Sequence, residues 1–250
     1  MSTYRIENCA GSAESARRAE LGGAYRVELC AGLPEGGTTP SYGEILTARR
    51  AISIKLNVII RPRSGDFLYT PTEVEAMLAD IRMARELGAD GIVVGCLTAD
   101  GAVDKPLLRR FVEAAEGLPV TFHRAIDVCQ DRAQALEDII EAGCARVLTS
   151  GGAASAPEGA DAIAALVKQA ADRIIIMPGA GVTPENVADL ARKTGAREFH
   201  FSGRTAEPSP MRYRHEGVSM GGTVTIDEYA YLFTDPKKIR QAVEALQALE

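Results

Sequence analysis

Four residues near the N-terminus have the types and spacing of a metal or acid–base site. Glu7 and Cys9 lie two positions apart, and Glu28 and Cys30 repeat that spacing. Residues two apart point to the same face of an extended strand, so each segment would present one carboxylate and one thiol together. Two nearby thiolates suit a soft ion such as Cu(I), whereas zinc prefers four ligands and the chain has only 3 histidines. The alternative for both cysteines is packing, because cysteine is often fully buried.

Two histidines supply further acid–base candidates. His123 is followed by Arg124 and then by Asp127, which places a general base beside a cation and a carboxylate. His200 lies within an apolar segment and shares its two-residue phase with Ser202. The predicted catalytic set is Glu7, Glu28, Arg61, Asp66, His123, Arg124, Asp127 and His200.

An anion site is predicted from arginines and glycines. Arg61 and Arg63 flank a proline in one short loop, where two guanidinium groups could fork one anion. The segment 177–181 is rich in glycine, as is the segment 202–204, and bare backbone N–H groups in such loops bind phosphate. The predicted set for this ligand is Arg63, Ser150, Gly151, Gly179, Ala180, Gly181, Ser202 and Gly203.

The elements that position these residues follow from a repeated pattern. Helical segments end at glycine, as at Gly88, Gly143 and Gly195, and an apolar strand begins a few residues later. The pattern predicts eight βα units and therefore a single-domain (β/α)8 barrel rather than an open doubly wound sheet, which usually has fewer strands. An extra helix is predicted at about 235–249. The predicted strands lie near residues 5–9, 26–30, 56–60, 91–95, 120–123, 146–149, 174–177 and 198–201.

The predicted barrel brings the candidate site residues together at the C-terminal ends of its strands. The inward phase of the strands selects a polar set that lies at their C-terminal ends, which is where barrel enzymes keep their active sites. An internal ion network of Glu7, Glu28, Arg61 and His123 is the structural alternative, since unpaired buried charges are costly. No lysine ends a strand in the inward phase, which argues against Schiff-base chemistry. The inward set is Glu7, Cys9, Glu28, Cys30, Arg61, His123, His200 and Ser202.

Composition limits the partners and the compartment. The chain has 250 residues, 46% of them hydrophobic, and a net charge of −6, which argues against nucleic acid as the main partner. No apolar run is long enough for a membrane span, and the N-terminus lacks the apolar core of a signal peptide. The 5 cysteines include no CxxC pair. We therefore expect a cytoplasmic protein with free thiols and no membrane partner.

Several ordered segments identify a family resemblance. The sequence resembles the CutC family, named for copper homeostasis, along essentially its whole length. The resemblance implies a (β/α)8 barrel and a cytosolic, oligomeric, copper-binding protein, for which we favour a dimer. It also implies that Cys9 and Cys30 are the copper ligands. The segment 217–225 is a candidate partner contact. The segments that carry the resemblance are 26–30, 35–41, 60–63, 65–67, 120–125, 146–151, 177–182 and 209–214.

Two functions from different classes remain open at this stage. One is Cu(I) binding by the strand-end cysteines. The other is a lyase or isomerase acting on a small anionic, possibly phosphorylated, metabolite, because copper binding alone does not explain the arginines, histidines and glycine loops. The sequence departs from the family pattern at Asn8, Ile126 and Gly203, and none of these departures removes a candidate side chain.

Overall fold

Eight parallel strands alternate with helices in the computed structural model, which describes residues 4–215, 217–218, 220 and 226–250. Each observed strand agrees with its prediction to within one residue at either end. The strands are β1 (Arg5–Ala10), β2 (Arg26–Leu29), β3 (Lys55–Ile59), β4 (Gly91–Val94), β5 (Val120–Phe122), β6 (Arg146–Thr149), β7 (Ile175–Pro178) and β8 (Glu198–Phe201). The helices are α1 (Ala13–Gly22), α2 (Tyr42–Ala51), α3 (Pro71–Glu86), α4 (Lys105–Ala114), α5 (Arg132–Glu141), α6 (Ala160–Ala170), α7 (Val187–Thr194) and α8 (Pro236–Gln247).

The strands form one sheet that curls into a nearly closed barrel. Parallel ladders run in the order β7-β6-β5-β4-β3-β2-β1-β8, so β8 pairs with β1 and not, among the described residues, with β7. In the β1–β2 ladder Cys9 lies opposite Glu28, and Ala10 lies opposite Leu29. This register brings the carboxyl ends of the first two strands to one height. The predicted (β/α)8 barrel is confirmed.

Strand alternation separates the helix layer from the barrel interior. Val27, Leu29 and Phe199 are buried in the large apolar cluster formed with the helices. Cys30 and Ile59 instead belong to a small separate cluster inside the barrel. This is the period-2 arrangement expected of strands whose two faces meet different surroundings, and it confirms the inward phase predicted for Cys30.

A buried ion network fills the barrel below the strand ends. Arg26 donates to Glu7 and, at 2.6 Å, to Glu198. Arg146 donates to the same Glu198 carboxylate at 2.6 Å and to Thr121 at 3.2 Å. All five side chains are buried. The network therefore pairs charges that the barrel interior could not otherwise hold.

The chain continues past β8 into a hairpin that the sequence did not reveal. Strands β9 (Arg204–Pro208) and β10 (Ala230–Thr234) pair antiparallel. Asn8 ties this hairpin to the barrel, since its amide donates to the carbonyls of Phe201 and Ser202 and its oxygen accepts from Thr234. The polar residue at position 8 is thereby explained. Of the candidate partner contact at 217–225, residues 219 and 221–225 lie outside the described residues.

None of the described helices is both long and apolar enough to cross a bilayer.

Candidate functional site

A cavity of about 290 Å³ opens at the C-terminal ends of the strands. It collects side chains from β1, β2 and β8 and from the loops that follow β3, β5 and β7. Its polar lining is predominantly the set predicted from strand phase, and its apolar lining includes Leu33, Ile59, Phe67 and Leu148. The predicted residues that line it are Cys9, Glu28, Cys30, Arg61, His123, Arg124, Ala180, Gly181, His200 and Ser202.

The two strand-end thiols lie close together on the wall of this cavity. The Sγ atoms of Cys9 and Cys30 are 3.9 Å apart, and neither cysteine is in a disulfide. Taking the ~2.3 Å bond of zinc thiolates as a guide, two sulfurs at 120° around one ion would be about 4.0 Å apart. A carboxylate oxygen of Glu28 lies within 4.8 Å of both sulfurs. The two thiols therefore match the donors that a soft metal prefers, and the Glu28 oxygen is a harder third donor nearby.

His200 lies between two buried carboxylates. Its Nδ1 is 2.8 Å from Glu7, and its Nε2 is 3.6 Å from Glu28. Burial lowers the pKa of His200, but the hydrogen bonds with Cys9 and Glu7 and the charge of Glu28 hold it well above its usual value. Burial raises the pKa of Glu7, yet Arg26 and His200 hold it well below its usual value. His200 and Glu7 therefore form an ion pair at neutral pH.

The Glu28 carboxyl and the two thiols are the other titratable groups beside His200. Burial raises the pKa of Glu28 to about 8, although the charge of His200 acts in the opposite direction. The hydrogen bond from Cys30 lowers the pKa of Cys9, with further help from His200 and Arg204, while the same bond and burial raise the pKa of Cys30. Cys9 is therefore the more acidic thiol of the pair.

Arg61 and His123, which follow β3 and β5, also line the cavity. Arg61 donates to the backbone carbonyls of Glu35, Gly37 and Gly65 at 2.8–3.2 Å. Nδ1 of His123 accepts from the N–H of Ala125 at 3.1 Å, which leaves the ring proton on Nε2. Burial, helped by the charge of Arg61, lowers the pKa of His123 to about 3, so the ring is neutral.

The predicted ion network of Glu7, Glu28, Arg61 and His123 does not form among the described residues. Glu7 pairs with Arg26 and His200 instead, and Arg61 donates to carbonyl groups. The reason is geometric. The inward side chains of β1 and β2 meet those of β8, whereas Arg61 and His123 extend from strand ends on another part of the wall.

Asp127 holds a loop together and is absent from the cavity lining. Its carboxylate accepts from Arg124 at 2.8 Å, from the Thr149 hydroxyl at 2.5 Å, and from the N–H groups of Ser150 and Gly152 at 3.0–3.1 Å. The Ser150 hydroxyl also donates to it at 2.9 Å. The predicted group of His123, Arg124 and Asp127 is therefore divided, because Asp127 faces the β6–α6 loop.

Arg63 and Asp66 lie outside the cavity. Arg63 pairs with Glu73, near the start of α3, at 2.6 Å and with Asp66 at 3.1 Å. Arg61 lines this cavity and Arg63 does not, so the two arginines predicted to fork one anion do not meet on its wall. Of the predicted phosphate set, Ala180, Gly181 and Ser202 line the cavity, whereas Arg63, Ser150, Gly151, Gly179 and Gly203 are absent from its lining.

Sequence reasoning missed several residues that shape the site. Arg26 precedes Glu28 by two positions and so shares its inward phase, which is a signal that could have found it. Asn57 donates to Glu7 at 3.5 Å. A Cβ on Gly95 would lie 2.2 Å from the His123 ring. Only glycine at this position, directly after β4, leaves space for the imidazole. Arg204 also lines the cavity.

Comparison with known proteins places these features in a family. A model described as the CutC family matches residues 4–205. A family protein CutC from Bacteroides thetaiotaomicron is 55% identical over 249 residues, which cover 99% of this chain and 100% of the relative. The copper homeostasis protein cutC homolog of Homo sapiens is 47% identical over 237 residues, 95% of this chain and 87% of the relative. A CutC crystal structure from Streptococcus agalactiae has a TM-score of 0.77 at 36% identity and covers 80% of this chain and 98% of that one. The chain belongs to the CutC family.

Proposed function

We propose that the protein binds Cu(I) through Cys9 and Cys30. The observation that carries the proposal is the 3.9 Å separation of two free sulfurs on the wall of an open cavity. Thiolates are the ligands that Cu(I) prefers. The names of the relatives point the same way, since the human relative is called a copper homeostasis protein.

The surroundings of the thiols suit a soft monovalent ion. The lowered pKa of Cys9 makes it easier to deprotonate, and a thiol must lose its proton to bind a metal. The His200 imidazolium, whose pKa is raised by Cys9, Glu7 and Glu28, offsets the negative charge of a dithiolate site. Free thiols of this kind persist in a reducing cytoplasm, which is the location that the proposal requires. A homo-oligomer, with a dimer favoured, completes the proposal by analogy with the family.

An anaerobic titration against a chromophoric Cu(I) chelator tests this function. We expect the wild type to take up about one Cu(I) per chain and the Cys9→Ser/Cys30→Ser variant to take up none, because hydroxyl groups are poor ligands for a soft ion. The matched control is Cys144→Ser, which replaces a buried cysteine of the helix layer and should bind like the wild type. Uptake that survives the double substitution, or that is lost equally in the control, would reject the proposal.

Glu28 favours a second candidate, an enzyme that moves a proton on a small anionic metabolite. Its pKa of about 8 suits a general acid or base near neutral pH, and one of its carboxylate oxygens has no partner among the described residues. His200 and Glu7 lie beside it as an ion pair. Reaction classes that fit are lyases and isomerases, whose substrates lose or gain a proton at carbon. The substrate would be a small, possibly phosphorylated, anion.

Deuterium exchange followed by NMR tests this candidate without knowledge of the product. Small 2-oxo acids and sugar phosphates are incubated with the protein in D₂O. At least one should lose a carbon-bound proton signal with the wild type, at a rate reduced about 100-fold or more in Glu28→Gln, since a general acid or base contributes factors of this size. The control Glu141→Gln alters an exposed carboxylate. No exchange across the panel, or equal exchange by Glu28→Gln, would count against an enzyme.

A further inference from the structure

Arg61 is a buried cation without a counter-charge among the described residues. Its side chain donates to three backbone carbonyls and to no described carboxylate. The residue is only 6% exposed, and its Nε has no hydrogen-bond partner in the part of the chain that the structure describes. A buried charge that lacks an opposite charge is destabilising. Because Arg61 lines the open cavity, an anion bound in that cavity would supply the missing counter-charge.

His123 provides a second unused donor beside Arg61. Its residue is 5% exposed, and Nε2 has no partner among the described residues. Arg61 and His123 both contact Phe67, with the guanidinium carbon 5.1 Å and the imidazole centroid 4.9 Å from the ring centroid. One aromatic ring therefore holds both donors at the same wall. Two unsatisfied donors at one wall indicate a ligand group that accepts hydrogen bonds.

The balance of charge and shape at this wall selects the ligand class. Arg61 contributes one positive charge and the neutral His123 contributes none. A group with one negative charge is therefore compensated by these two donors alone, whereas the second charge of a phosphate dianion would need another cation of the lining, Arg124 or Arg204. The lining also includes the apolar side chains of Leu33, Ile59 and Leu148, and the cavity of about 290 Å³ limits the ligand to a small molecule.

We propose that the cavity binds a small organic carboxylate whose oxygens accept hydrogen bonds from Arg61 and His123. The carbon body of the ligand lies against the apolar wall, with Phe67 beside the carboxylate. Its donors differ from the thiol pair, although both line the same cavity, and Cu(I) binding has no need of them. It would anchor the substrate of the enzymatic candidate, but the binding itself requires no catalysis.

Isothermal calorimetry of the metal-free protein with acetate, pyruvate and benzoate tests the site. We expect saturable binding of at least one of these at one site per chain. His123→Asn should weaken it about tenfold or more, because the shorter amide can still accept from Ala125 N–H while the Nε2–H donor is lost. The matched control is Arg63→Met, which removes an arginine from the same loop but outside the cavity, and it should bind like the wild type.

A further variant and the conditions of the measurement separate this site from misfolding and from the other proposals. Arg61→Met should abolish carboxylate binding. A circular dichroism spectrum that matches that of the wild type shows that this variant is folded. The calorimetry uses metal-free protein and measures binding without turnover, so failure of the copper or enzymatic proposal leaves this measurement intact. The inference is overturned if none of the three carboxylates binds, if His123→Asn binds as well as the wild type, or if inorganic phosphate binds and the carboxylates do not.

Discussion

Replacement of Glu198 by Gln is expected to lower the free energy of unfolding by about 3–5 kcal/mol, the usual cost of removing one partner from a buried ion pair. Glu198 is the carboxylate shared by Arg26 and Arg146, both at 2.6 Å. Its side chain is 5% exposed, as is that of Arg26. The neutral amide would leave two buried guanidinium groups with Glu7 as their main counter-charge. Urea unfolding at pH 7 measures the effect.

An exposed carboxylate and the pH dependence provide the controls. Glu141 pairs with Lys105 and Arg109 at the surface, and Glu141→Gln should cost less than about 1 kcal/mol. Burial raises the pKa of Glu198, but Arg26 and Arg146 hold it below its usual value. Its stabilisation is therefore fully present above pH 4.5 and is lost as the pH falls through the lower, folded-state pKa. A loss below 1 kcal/mol, or a difference from the wild type that vanishes already at pH 6, would contradict the assignment.

The barrel and one wall of the site were predictable because they depend on strand phase alone. Alternation assigns Cys30 to the interior and Leu29 to the helix layer, and parallel strands bring their carboxyl ends to one edge. The proximity of Cys9 and Cys30 follows from these two rules, because β1 and β2 are neighbours in both sequence and sheet. No knowledge of loop shape is needed for this part of the site.

The buried network escaped prediction for a different reason. Arg26, Arg146 and Glu198 come from β2, β6 and β8, and they meet across the interior of the barrel. Their contact depends on the relative heights of strands that are not all neighbours, which local patterns do not encode. The inward direction of Arg26 follows from its position two residues before Glu28, but its partners do not follow from the sequence.

Loop residues were the least predictable part of the site, because loop direction is set by tertiary hydrogen bonds. Arg61 and Arg63 are two positions apart, yet Arg61 binds the carbonyls of the β2–α2 loop while Arg63 turns to Glu73. Similarly, Arg124 lines the cavity while Asp127 serves the next loop. Residue type and spacing therefore identified candidates here but not the direction in which each side chain points.

Replacement of Asp127 by Asn should lower the free energy of unfolding by about 2–4 kcal/mol while leaving Cu(I) uptake unchanged. The carboxylate is 5% exposed and accepts from two hydroxyls, two backbone N–H groups and Arg124. An amide has one acceptor oxygen and would direct its own N–H groups at donors, so several buried donors would lose their partner. Urea unfolding and the Cu(I) titration measure the two parts of this prediction.

Asp66→Asn is the matched control for Asp127→Asn, since both residues were predicted as catalytic from sequence. The Asp66 side chain is 75% exposed and pairs with Arg63 at the surface, so its replacement should cost less than about 1 kcal/mol. Hydrogen exchange should also quicken in Asp127→Asn at the N–H groups of Ser150 and Gly152, because these donate directly to the carboxylate. Equal stability of the two variants would contradict the role of Asp127 in the loop, and a loss of Cu(I) uptake in Asp127→Asn without a loss of stability would indicate that Asp127 acts on the ligand.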